Sequence, residues 1–162
     1  MASETTAAAS GAVGVVRRDP MAMRPFVGYD MGDYFAHWLN MGKIIPNPPK
    51  IFHVNWFRTD DDGNFIWPGF GDNMRVLMWI LSRCEGEIGA RESAIGYLPH
   101  PEDICIDGLD DVTLETIKEL LKVDNASWLA DVENIKVFYK QVGGRVPSEL
   151  YNELEALENR LK

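Results

Sequence analysis

Pro68-Gly69 interrupts an aromatic-rich stretch, FIWPGFGDN at residues 65–73, and limits what this region can become. Proline has no backbone N–H and a fixed φ, and glycine readily takes φ values closed to other residues. Together they exclude a continuous helix or a central strand here. Phe65, Trp67 and Phe70 must therefore ride on a turn. They are either core residues pinned at that turn or a platform for a flat ligand.

The flanking residues place the turn. IFHVNWF (51–57) has the β-branched and aromatic content of a strand, DDDGN (60–64) supplies turn chemistry, and FIW (65–67) predicts a return strand. Phe57 and Phe65 then stand close together across a hairpin. Asp72 is placed to cap a helix carrying Val76, Leu77, Ile80, Leu81 and Cys84 on one face. The PGFG loop (68–71) feeds the start of that helix, where backbone N–H groups lack intrahelical partners.

Elsewhere the periodicity is helical. Asp30 precedes Met31, Tyr34, Phe35, Trp38 and Leu39 at helix spacing. A helix is predicted over 113–122 with Leu114, Ile117, Leu120 and Leu121 inward. Another, over 124–141, carries Trp128, Val132, Ile135, Phe138 and Tyr139 and stops at Gly143-Gly144. The last begins at Pro147 and carries Leu150, Leu154, Leu157 and Leu161. Residues 85–111 read as irregular or short-stranded. The expectation is an α+β fold with a β-hairpin and about five helices.

Composition excludes several functions. The net charge of −9 and pI near 4.8 argue against sequence-independent binding of nucleic acid, which needs basic surface. No run approaches the roughly 18 apolar residues of a membrane span, and residues 1–18 lack the pattern of a secretory signal. Cys84 and Cys105 form neither a metal pattern nor a disulfide framework, which fits a reducing, cytoplasmic setting. His37, His53 and His100 lack ligand spacing, and Asp60-Asp61-Asp62 lacks the later glutamate of a calcium loop, so no metal site is expected. A G-x-x-x-x-G-K-[ST] loop is absent. Residues 3–14 are almost all Ser, Thr, Ala and Gly and read, on composition, as a frayed terminus.

Phe57, Phe65 and Phe70 beside a helix start would make a slot for a planar ring, since purines stack on such rings at roughly 1–3 kcal/mol per base. A small hydrophobic cluster beneath the hairpin fits equally well. Residue chemistry leaves both readings open.

The longer segment HVNWFRTDDDGNFIWPGFGDNMRVLMW (53–79) closely resembles the guanine-binding segment of GTP-dependent phosphoenolpyruvate carboxykinases. DPMAMRPFVGYDMGDYFAHWL (19–39) resembles the passage before it, SETTAAA (3–9) the start of that family's Ω-loop lid, and IGYLP (95–99) with the closing helix its C-terminus. The resemblance implies that Phe57 and Phe70 sandwich guanine with Phe65 beside it. It implies that Phe70, Gly71, Asp72 and Asn73 form the loop meeting the base, Asn73 reading its edge. Asp72 stands where many members carry Glu. Residues from Thr5 to Val15, including Thr6, Ala7, Ala8 and Ala9, become the lid, with one of its stems missing from this chain.

The resemblance also implies what lies elsewhere. The family's phosphate loop, its ligands for Mn2+ and Mg2+, and the arginines that hold oxaloacetate are all upstream of these residues. The chain then reads as the C-terminal, guanine-nucleotide-binding lobe (1–162) of a larger, monomeric enzyme: lid segment 1–18, guanine-site region 19–84 and helical packing region 85–162. The implied reaction converts oxaloacetate and GTP to phosphoenolpyruvate, CO2 and GDP, with catalytic residues outside this chain. The alternative is a free-standing, non-catalytic nucleotide-binding or interaction module.

Overall fold

A computed structural model describes residues 2–4, 16–18 and 23–162. The chain divides into two units, residues 1–48 with 129–159 and residues 49–128 with 160–162. No helix among the described residues is long and apolar enough to cross a membrane.

In the first unit, β1 (Ala2–Glu4) pairs antiparallel with β2 (Val16–Arg18), Ser3 opposite Arg17. Residues 5–15 are thus flanked on both sides by paired strand. This corrects the expectation that one stem of that loop is missing. Helix α1 (Met31–Ile44) starts where Asp30 accepts from the Gly32 N–H at 2.7 Å, as the sequence predicts. Its buried face is narrower than expected: Phe35 is buried and Trp38 is exposed. Phe35 meets Phe138 edge to face at 6.3 Å. Phe138 and Val132 lie on α4 (Asn125–Val142), which ends at Gly143 with φ 93°, the left-handed conformation that glycine tolerates best. Leu154 on α5 (Ser148–Leu161) and Val146 in the intervening loop are also buried. Exposed ion pairs, Asp33 with Arg145 and Lys43 with Glu149, add little to such packing.

The second unit holds the aromatic turn. Its core is Trp67, Trp79, Ile104, Val112 and Ile117, with Phe52, Trp56, Val76, Ile80, Leu120 and Leu121 packed against it. Helix α2 (Asn73–Glu85) contributes Trp79 and closes at Gly86, again left-handed at φ 79°. The inward face runs through Val76, Trp79 and Ile80, while Leu77, Leu81 and Cys84 are exposed. The predicted helical face is therefore rotated by roughly one residue position. Strands β3 (Arg91–Ser93) and β4 (Gly96–Leu98) form the one regular hairpin of this unit among the described residues. Helix α3 (Leu114–Leu120) is capped by Thr113, whose hydroxyl accepts from the Thr116 N–H, and buries Ile117. The start of α4 is capped by Asp124, which accepts from the Ser127 N–H at 2.6 Å.

The expected strand over 51–57 does not form. Residues 51–58 have no regular structure, and the pairing between the two arms is a single bridge, Thr59 to Phe65. Pairing needs N–H groups on both arms, and Pro68 ends the supply just past Trp67. Asn55 competes as well, its side-chain oxygen accepting from the Phe57 N–H at 3.0 Å. What survives of strand character is alternation. Phe52 and Trp56 turn into the core and Ile51, His53, Asn55 and Phe57 turn outward, but Val54, between the two inward rings, is also exposed. The fold remains α+β, with five helices and two short antiparallel pairs among the described residues.

Candidate functional site

The two readings of the aromatic turn apply to different residues. Trp67 belongs to the core, at 5% exposed, and tilts against Trp56 with ring centroids 6.4 Å apart. Phe57, Phe65 and Phe70 face solvent, at 70%, 64% and 95% exposure. Alternation accounts for Phe57 but not for Phe65, whose two successors both turn inward. Trp56 and Arg58 turn inward on either side of Phe57, and Ile66 and Trp67 turn inward after Phe65. Phe57 and Phe65 are brought together across the turn, 5.9 Å between centroids at 60°, an edge-to-face pair. Phe70 projects from the short 3-10 turn Phe70–Asp72 that leads into α2.

That turn is held by a hydrogen bond that sequence reasoning missed. The Trp67 indole Nε1 donates to Asn73 Oδ1 at 2.8 Å, closing the loop 67–73 on itself. A buried tryptophan usually finds an acceptor for its N–H, although Trp79 in the same core does not, and an asparagine six residues on was the available signal. Gly69, at φ 104°, gives the backbone the reversal this closure needs.

Asp72 occupies the residue before α2, but its carboxylate does not cap the helix. It pairs instead with Arg75 Nε at 3.0 Å, and Arg75 Nη1 reaches the Cys105 carbonyl at 3.0 Å. The guanidinium, with its fork of donors, outcompetes the single backbone N–H a cap would satisfy. The expected capping role is therefore wrong, and Asp72 leaves the first amides of α2 unbonded by its side chain.

Asp60 fixes the turn joining Phe57 to Phe65. Its Oδ1 accepts from the Asn64 N–H at 2.8 Å and the Asp62 N–H at 3.0 Å. The Asn64 amide, with smaller help from those of Asp62 and Gly63, holds this carboxyl below its ordinary value. Arg58 anchors the other side of the turn on α3, donating to Glu119 Oε1 at 2.9 Å and the Leu120 carbonyl at 3.1 Å.

His37, His53 and His100 are exposed, and no group of three His, Cys, Asp or Glu side chains converges among the described residues. A cleft of this unit lies between β3 and α3, lined by Arg91, Ser93, Lys118 and Lys122, and includes none of the aromatic residues. It is wide open, whereas a stacking platform needs only exposed ring faces, so the phenylalanines mark the better candidate. Thr5, Thr6, Ala7, Ala8 and Ala9 lie outside the described residues.

Comparison with known proteins agrees with the resemblance of residues 53–79. Residues 1–160 match the family described as phosphoenolpyruvate carboxykinase C-terminal P-loop domain. Phosphoenolpyruvate carboxykinase [GTP] of Renibacterium salmoninarum is 53% identical over 99% of the chain, and that of Anaeromyxobacter dehalogenans is 49% identical over all of it. The counterpart in Paenarthrobacter aurescens is 50% identical over 99%. The chain spans 27% of the length of each of these relatives. The chain belongs to the GTP-dependent phosphoenolpyruvate carboxykinase family, matching its C-terminal domain.

Proposed function

We propose that this chain supplies guanine recognition and the active-site lid of a carboxykinase that converts oxaloacetate and GTP to phosphoenolpyruvate, CO2 and GDP. The observation that carries the reading is the outward display of Phe57, Phe65 and Phe70 from a turn whose Trp56 and Trp67 pack inward. A packing cluster would turn all of these rings in. Exposed rings gathered around one turn mark an interaction surface, and a planar base fits their chemistry.

In this reading Phe57 and Phe70 stack on the two faces of guanine, and Phe65 supports Phe57 from its edge. Asn73 donates to the six-position carbonyl, and Phe70, Gly71 and Asp72 shape the loop that meets the base. Residues 5–15, between the paired strands β1 and β2, form the lid. Closure of such a lid excludes water from a reactive enolate. Phosphoryl transfer relies on metal clamps and positioning. The described residues do not fit a Mn2+ or Mg2+ site, since no three ligands converge among them, and the sequence contains no GK[ST] phosphate loop. Both belong to the rest of the enzyme, as do the groups that hold oxaloacetate. We place the enzyme in the cytoplasm, as a monomer in gluconeogenesis.

Turnover of GTP, ITP and ATP in a complete carboxykinase carrying this segment tests the proposal. ITP keeps the six-position carbonyl and should replace GTP, whereas ATP presents a donor there and should be used poorly. Comparable rates with ATP would refute guanine recognition by this loop.

A further inference from the structure

The bond between Trp67 and Asn73 decides which atom of the amide can face a ligand. An indole nitrogen only donates. The amide atom 2.8 Å from it is therefore the oxygen, and the orientation of Asn73 is fixed by chemistry. With Oδ1 turned to a buried indole, Asn73 has Nδ2 left to offer, and no bond among the described residues occupies that nitrogen. An asparagine with both atoms free reads adenine, accepting from N6 while donating to N7. One whose oxygen is tied to a buried indole cannot turn its amide over to suit a six-amino group, and it keeps a donor suited to a carbonyl.

We infer that Trp67 is a specificity-determining residue that acts through Asn73. By holding Oδ1 it locks the amide in the orientation that leaves Nδ2 to the ligand, and so selects a six-keto purine over a six-amino purine. Trp67 does this from the core, as a positioning residue, without touching the base. The inference rests on the guanine site proposed above.

The test uses a complete carboxykinase carrying this segment and measures Kd for GDP and ADP. Trp67→Phe keeps a ring against Trp56 and removes the donor, leaving the Asn73 amide free to turn over. The benzothienyl isostere of tryptophan at position 67 fills the indole volume without an N–H, and so decides the matter if the phenylalanine variant folds poorly. Either change should lower the preference for GDP over ADP about tenfold, the consequence of one mismatched hydrogen bond. Phosphoenolpyruvate binding should stay as it was. Combined with Asn73→Ala, neither change should lower the preference further. An unchanged preference, or equal weakening of both nucleotides, overturns the inference. Phe57→Ala separates the two levels. If it weakens both nucleotides while the indole variants leave the preference intact, the site stands and the role of Trp67 falls. If it weakens neither, the site itself is misplaced.

Discussion

Replacing Phe57 with alanine removes one proposed stacking face and little else. The side chain is 70% exposed and stands outside the core cluster, so its loss opens no buried cavity. Its ring partner is Phe65, at 5.9 Å and edge-on, and a pair of this kind contributes about 0.5–1.5 kcal/mol. The melting temperature of the variant should hardly move. Nucleotide binding should weaken by about 1–3 kcal/mol, the cost of one missing stacking face, which is roughly 5- to 150-fold in Kd. Calorimetric titration of GTP into a complete carboxykinase carrying the variant segment reads this directly. Phosphoenolpyruvate serves as the control, because it has no ring to stack and its affinity should be unchanged. Equal losses for the two ligands, or a large drop in melting temperature with GTP affinity intact, would make Phe57 a packing residue and refute the reasoning.

Asp60 carries a pH dependence. Its carboxyl is held below its ordinary value by the Asn64 amide, so its contribution to the turn is complete above that ordinary value and is lost as pH falls through the lowered one. An NMR titration should place the Asp60 midpoint below the usual carboxylate range, with the Phe57 and Phe65 rings moving apart in step; a midpoint at or above that range contradicts it. Gly32 is buried on α1, where a methyl group would collide with the Arg145 backbone carbonyl, so Gly32→Ala should destabilise its unit by about 1–3 kcal/mol in denaturant unfolding. Unaltered stability would show that this packing is loose. The 162-residue chain alone should bind GTP no more tightly than about 1 mM, since stacking and a few edge bonds must offset the cost of association. With oxaloacetate, GTP and manganese it should form no phosphoenolpyruvate; formation that scales with the chain would demand a catalytic site within it.

The helices were legible because their signals are local. Asp30, Thr113 and Asp124 each meet a backbone amide a few residues on, and Gly143 ends α4 where the sequence places the stop. What sequence reasoning could not settle is competition between partners. Asp72 has the chemistry of a cap, but Arg75 offers its carboxylate a charged partner one turn away. Residues 51–57 have strand composition, yet a strand forms only where another arm can pair, and Pro68 shortens that arm. The pairing of β1 with β2 joins residues more than ten positions apart, and three-residue strands carry too little pattern to announce it. At the site, the alternation that sends Phe57 outward was readable, as was its approach to Phe65. The separation of Trp67 from Phe65 and Phe70 was not, because composition does not say which aromatic of a turn finds a core to enter.

We propose that guanine sits between Phe57 and Phe70 and is read by Asn73. A crystal structure of a complete carboxykinase carrying this segment, with GDP bound, tests it most directly. The purine ring should stack on both phenylalanines, with its six-position oxygen within hydrogen-bonding distance of Asn73 Nδ2 and the Trp67 indole still bonded to Asn73 Oδ1. A base bound away from these rings, or one that meets Asn73 through its oxygen, would contradict it.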